Sequence, residues 1–73
     1  MFKLTYDKQA DAAYIYFSET PVDKVEKTYL CDPKEINGII NLDFAGGKLV
    51  GIEVMDASKK LLREFLEQAE TLG

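Results

Sequence analysis

Histidine is missing from all 73 residues. Imidazole is the side chain that ordinarily titrates near neutral pH and the commonest metal ligand, so its absence excludes the usual catalytic triads and most zinc sites. Cysteine occurs once, at Cys31, which rules out an internal disulfide. Small secreted domains ordinarily depend on such cross-links, so a cytoplasmic location is expected. Cys31 stands beside Asp32 with no second cysteine or histidine to activate it, so a structural or surface thiol is expected rather than a nucleophile. No basic cluster exists either. The densest basic stretch, Lys59, Lys60 and Arg63, is followed at once by Glu64, Glu67 and Glu70. Thirteen acids against nine bases leave a net charge of −4. Such a surface repels phosphate backbones and anionic lipid, so neither direct nucleic-acid binding nor a membrane partner is expected. No apolar run approaches the roughly 20 residues of a membrane span. The segment from Met1 to Phe17 lacks the basic-then-apolar layout of a secretory signal. Linkers, repeats and low-complexity tracts are also missing, so residues 1–73 read as a single domain.

What is present is periodicity. Phe2, Leu4 and Tyr6 alternate with Lys3 and Thr5, which predicts a strand over 2–6. The polar turn Asp7 to Asp11 then leads into an aromatic, β-branched strand over 12–17, and the two form a hairpin. Pro21 cannot donate to a ladder, so a third, charge-rich strand is expected over 23–30. Asp32-Pro33 and Asn37-Gly38 are turn signals. Strands over 38–44 and 49–54 flank Ala45-Gly46-Gly47-Lys48. That loop lacks the pattern and lysine of a phosphate-binding loop and reads as a turn. A three-residue loop with Gly47 left-handed would set Leu42 opposite Val50 and Ile40 opposite Ile52. A two-residue loop would pair Leu42 with Gly51 and scramble the faces.

Asp56-Ala57-Ser58 predicts a helix start, with Asp56 or Ser58 accepting a bond from a free backbone N–H. Leu61, Leu62, Phe65, Leu66, Ala69 and Leu72 follow at helical spacing, a stripe roughly 140° wide, so a helix is expected over 57–71 with Gly73 at its C-cap. The expected fold is therefore α+β: a meander-like antiparallel sheet of five strands with one C-terminal helix packed on one face.

One face of that sheet would carry Phe2, Leu4, Tyr6, Ala13, Ile15, Phe17, Ile40, Leu42, Phe44, Val50, Ile52 and Val54 as core. The other would carry Tyr14, Tyr16, Ile39 and Leu49 among polar residues, with Tyr29 joining them if the register allows. Cross-strand tyrosines stabilise sheets without a partner. They also suit contact surfaces, because each supplies area and a hydrogen-bonding tip. Tyr14, Tyr16, Ile39 and Leu49 are the candidate protein-contact face. A chain this short hides only about 60% of its unfolded surface, so a homodimer is expected. The helix charges, basic early and acidic late, oppose the macrodipole and would match those of an antiparallel second helix. Lys60–Glu64 and Arg63–Glu67 pairs on a solvated face of one helix are the simpler account of them.

The carboxylates offer the remaining chemistry. Asp7 and Asp11 flank the first turn, Asp43 and Glu53 share the second face, and Asp56 opens the helix. Oxygen donors of this kind suit Mg²⁺ or Ca²⁺, which makes a divalent-metal or small-ligand site the alternative function. Turn and cap positions explain Asp7, Asp11 and Asp56 without a ligand, as a turn explains Gly47. No cofactor and no catalytic residue are expected.

The segments Tyr6-Asp7-Lys8-Gln9-Ala10-Asp11-Ala12-Ala13-Tyr14-Ile15 and Val50-Gly51-Ile52-Glu53-Val54-Met55-Asp56-Ala57-Ser58-Lys59 resemble the two signatures of a short bacterial and archaeal family. That family is catalogued as domain of unknown function number 2283. The resemblance extends from Met1 to about Leu66, and Ala13 stands where the family usually has leucine. It implies a small sheet with a terminal helix and no established activity. Some members look like the second half of gene pairs with small toxin-like proteins, which implies an antitoxin-like role and a small basic protein partner. The expected function is a non-enzymatic protein-interaction module.

Overall fold

A computed structural model of the chain describes residues 2–17, 24–32, 34 and 39–72. The expected features at Pro21, Pro33, Asn37-Gly38 and Gly73, the beginning of the third strand and the side chain of Leu72 lie outside the described residues.

Among the described residues six strands form one sheet: β1 Lys3–Asp7, β2 Ala12–Tyr16, β3 Lys27–Cys31, β4 Ile40–Ala45, β5 Lys48–Met55 and β6 Glu70–Leu72. Their order is β3-β4-β5-β2-β1-β6. β1 and β2 make the expected hairpin, with Leu4 opposite Ile15 and Tyr6 opposite Ala13. β3, β4 and β5 run as a meander. The expected meander breaks between β2 and β3, because β2 pairs with β5 instead, setting Ala13 opposite Val54 and Ile15 opposite Ile52. Both of those strands alternate cleanly, whereas β3 is exposed along most of its length. The most apolar strands thus take the central places.

Residues 24–26, expected within the third strand, lie outside it, and β3 starts at Lys27. Lys27 pairs with Phe44, and β4 ends one residue later, so residues 24–26 have no ladder on β4 to join. Glu26 closes the corner: its N–H donates to the Phe44 carbonyl at 2.9 Å, and its carboxylate accepts from the Gly46 N–H at 2.7 Å.

The β4–β5 turn also departs from expectation. Ala45 pairs with Lys48 across a two-residue turn, with Gly46 at φ 59° and Gly47 at φ 75°. Two consecutive positive φ values match the twist of a tight hairpin. The face-scrambling that this turn threatens is undone by a β-bulge. Phe44 pairs with Leu49 but Asp43 pairs with Gly51, leaving Val50 as the extra residue. Beyond the bulge, Leu42 lies opposite Ile52 and Ile40 opposite Val54.

The largest correction is the C-terminal helix. Residues 57–71 form two single turns, α1 Ala57–Lys60 and α2 Arg63–Leu66, followed by β6. The chain is extended at Leu61, with φ −101° and ψ 146°. Periodicity could not foresee this, since a break that turns Leu61 inward and leaves Leu62 69% exposed keeps the same apolar count. The tertiary reason lies at the edge of β1. By breaking, the chain runs β6 parallel to β1, pairing Thr5 with Glu70 and Asp7 with Leu72, and covers backbone groups that a helix would leave open. Lys3 and Glu70 add an exposed ion pair at 3.2 Å. Arg63 pairs with Glu67 at 3.8 Å, while Lys60 turns back to Asp56 at 3.9 Å rather than forward to Glu64. With no continuous helix, the matching of two antiparallel helices by charge loses its basis.

The core is small. Leu4, Ala13, Val54 and Ala57 are its buried hydrophobics among the described residues, with Tyr6, Ile15, Ile40, Ile52, Leu61, Phe65, Leu66 and Ala69 packed around them. Phe2 stacks on Phe65 at 6.3 Å between ring centroids. These contacts lie over β1, β2 and β5.

Candidate functional site

Tyr14 and Tyr16 lie side by side, ring centroids 4.4 Å apart, on the face away from the helical turns. Tyr16 pairs with Gly51 and Tyr14 with Glu53. The Tyr14 ring leans over the bare backbone of Gly51, and a Cβ built there would come within 2.6 Å of two ring carbons. The Tyr14 hydroxyl thereby reaches across β5 and donates to Asp43 Oδ2 at 2.5 Å. Asp43 Oδ1 accepts from Thr28 Oγ1 at 2.7 Å. One carboxylate thus ties β2 to β4 and β4 to β3. Beside it, Asn41 Nδ2 donates to Glu53 Oε1 at 2.9 Å. Tyr14 is anchored within the sheet, and Tyr16 is the more exposed of the two rings.

Burial and the bond to Asp43 both raise the Tyr14 pKa above its ordinary 10.0. A raised folded-state pKa contributes stability that is complete below the unfolded value and disappears as pH rises through the folded one. Tyr14→Phe removes this dependence. The wild type is expected to lose stability faster than the variant above pH 10.0, in thermal melts recorded across the alkaline range. Equal alkaline slopes would show that Tyr14 ionises as freely folded as unfolded.

Of the other two members of the expected contact face, Ile39 keeps the alternation of Asn41 and Asp43 on the tyrosine side, and Leu49 does not. Ile39 precedes β4, half-buried, and its carbonyl accepts from the Met55 N–H at 2.9 Å. The bulge brings Leu49 opposite Phe44, and cross-strand partners share a face. Leu49 therefore belongs with Phe44 on the side of the helical turns. Tyr29, opposite Leu42, lies on that side too, its ring edge-on to Phe44 at 5.4 Å. Tyr29 is 52% exposed and Leu49 37% exposed, so the helical turns leave this end of their own face open. Sequence reasoning put Phe44 in the core and missed the open patch, because only the position of the helical turns reveals it.

The signature aspartates Asp7, Asp11 and Asp56 each sit at the end of an element. Asp7 Oδ1 accepts from the Gln9 N–H at 3.0 Å and the Ala10 N–H at 3.3 Å, closing the first turn on itself. Asp11, at φ 51°, accepts from the Ser58 N–H at 3.0 Å, the Ser58 hydroxyl at 2.7 Å and the Tyr6 hydroxyl at 2.7 Å. Its own carbonyl accepts from the Ala57 N–H at 2.9 Å. The start of α1 is thus capped by a residue 47 positions away. Asp56, left-handed at φ 52°, makes no side-chain cap bond. This corrects the expected cap by Asp56 or Ser58. The Ser58 hydroxyl and then the Tyr6 hydroxyl hold the Asp11 carboxyl below its ordinary 3.8, and the same bond raises the Tyr6 phenol.

Among the described residues no three acidic or thiol side chains gather closely enough to hold a metal ion. Asp11, Asp43 and Glu53 instead accept hydrogen bonds from neighbouring side chains. Cys31 is a half-buried free thiol opposite Ile40. No helix among the described residues is long and apolar enough to cross a membrane.

Among the described residues, a mixed six-stranded sheet with two short helical turns defines an α+β domain. The chain belongs to the family described as protein of unknown function (DUF2283), whose model matches residues 3–58. No curated protein and no solved structure matches it.

Proposed function

We propose that this chain is a non-enzymatic protein-interaction module whose first partner is a second copy of itself. The observation that carries this reading is the open end of the helix-side face, where Tyr29 and Leu49 remain exposed beside a half-buried Phe44. No large side chain among the described residues is fully buried, so the monomer has little core to spare.

An antitoxin-like role is the finer form of this reading. A dimer doubles the net charge of −4 and would attract a basic partner protein. Sedimentation equilibrium over a concentration series tests the first step, with a dimer expected at micromolar concentration. A strict monomer at millimolar concentration would overturn it.

A further inference from the structure

We infer that two copies join through the free edge of β3, strand to antiparallel strand, about a two-fold axis at Tyr29. The inference rests on the self-association reading above and names the surface responsible. Hydrogen bonding in antiparallel ladders alternates residue by residue. The Met55 N–H bond to the Ile39 carbonyl sets the phase: Ile39, Asn41 and Asp43 turn their backbone groups toward β5. Ile40, Leu42 and Phe44 therefore turn toward β3, where they meet Cys31, Tyr29 and Lys27. Thr28 and Leu30 are left with their N–H and C=O groups pointing away from the sheet. Among the described residues no strand lies on that side.

Within Lys27–Cys31 the sequence carries few of the usual protections of an edge strand. Lys27–Cys31 contains no proline and one charge, at its end, and Leu30 is 62% exposed. The opposite edge strand, β6, is only three residues long. β3 is also complementary to itself. Pairing Thr28 with Leu30 of the second copy uses all four outward backbone groups of each strand. It sets Tyr29 opposite Tyr29 at the axis and Lys27 opposite Cys31, with no like charges facing. Other registers pair fewer residues. Because both copies use the same edge, the contact closes as a dimer rather than growing. It also brings the two open patches of Tyr29, Phe44 and Leu49 together on one face.

Lys27→Cys tests the register. Within one strand the new thiol and Cys31 are about 13 Å apart, four residues at roughly 3.3 Å each. Their α-carbons are then far beyond the ~7 Å limit for a disulfide. Across the two-fold axis the same residues form a non-hydrogen-bonded pair with α-carbons about 4.5 Å apart, within reach. With oxidised glutathione as the two-electron acceptor, most of the Lys27→Cys protein is expected to run as a covalent dimer on non-reducing gels. The wild type and Thr28→Cys are expected to run as monomers. Leu30→Pro provides a second readout, since it deletes an N–H that β4 does not use. Sedimentation is expected to shift to monomer while circular dichroism stays native. A wild type that is monomeric in sedimentation would overturn both the self-association reading and this interface. A dimeric wild type whose Lys27→Cys variant gives no more covalent dimer than Thr28→Cys, or a Leu30→Pro protein that stays dimeric, would overturn the β3 interface alone.

Discussion

Gly51→Ala is expected to lower the melting temperature by about 10–20 °C, the equivalent of roughly 3 kcal/mol in a domain of this size. The usual effect of alanine for glycine in a strand has the opposite sign, a gain of roughly 0.5–1 kcal/mol. The reversal comes from one neighbour. The three atoms nearest to a Cβ at Gly51 all belong to Tyr14, two of them at 2.6 Å. The ring must swing away, and the hydroxyl then leaves Asp43. Losing a hydrogen bond to a charged group costs about 1.5–3 kcal/mol, and forcing an extra methyl against a packed ring about 1–3 kcal/mol. The check is a double-mutant cycle read by chemical or thermal unfolding. With Tyr14→Ala in the background, Gly51→Ala should cost under about 0.5 kcal/mol, a coupling of 2 kcal/mol or more. Additive effects would show that Gly51 is not the seat of the Tyr14 ring.

Asp11→Ala is expected to cost on the order of 2–3 kcal/mol, through two separable losses. The first is the cap of α1, since removing a helix cap typically costs about 1 kcal/mol and up to 2. Here the cap also fastens the first turn to Ser58. The second is conformational. Asp11 sits at φ 51°, where aspartate and asparagine are tolerated and alanine is strained by about 1 kcal/mol. Asp11→Gly relieves the strain without restoring the bonds and should fall between alanine and wild type. Asp11→Asn keeps the conformation and an accepting oxygen and should cost least. Acid separates the charge from the geometry. The folded-state pKa lies below 3.8, so the ionised carboxylate contributes fully above that value, and the contribution is lost as pH falls through the folded value. Asp11→Asn lacks this titration, so its stability should decline less than that of wild type below pH 3.8. Parallel acid profiles would sink the assignment of Asp11 as an ionised cap.

Much of this architecture was legible in the chain. Leu4 and Tyr6 against Ala13 and Ile15, and Ile40 and Leu42 with Ile52 and Val54, alternate strictly, and a side-chain period of two assigns faces without knowledge of strand order. That is why Leu4, Tyr6, Ala13, Ile15, Ile40, Ile52 and Val54 came out on the core side as expected even though the β4–β5 register did not, while Phe2 and Phe17, expected in the core, are 53% and 43% exposed. The register depended on Gly46 and Gly47 jointly adopting positive φ and on Val50 being extruded, and neither leaves a mark on the hydrophobic pattern. Gly51 was a signal that could have been read, because a glycine inside a strand often marks a close approach. Which group approaches follows only from β2 lying beside β5.

The sequence by itself determined the faces of the strand residues that pack beneath the helical turns, and the turn and helix-start positions of its aspartates. These are local properties: alternation and the backbone-mimicking reach of short polar side chains. Tertiary structure alone decided that the C-terminal stripe would break into two turns and a strand. It also decided that Asp11 would cap a helix far along the chain, and that Leu49 and Tyr29 would share an open patch while Tyr14 was drawn into the sheet. Each of these rests on a contact between segments distant in sequence. The free energy of such contacts, an edge covered or a hydroxyl satisfied, outweighs local preferences worth a few tenths of a kcal/mol per residue.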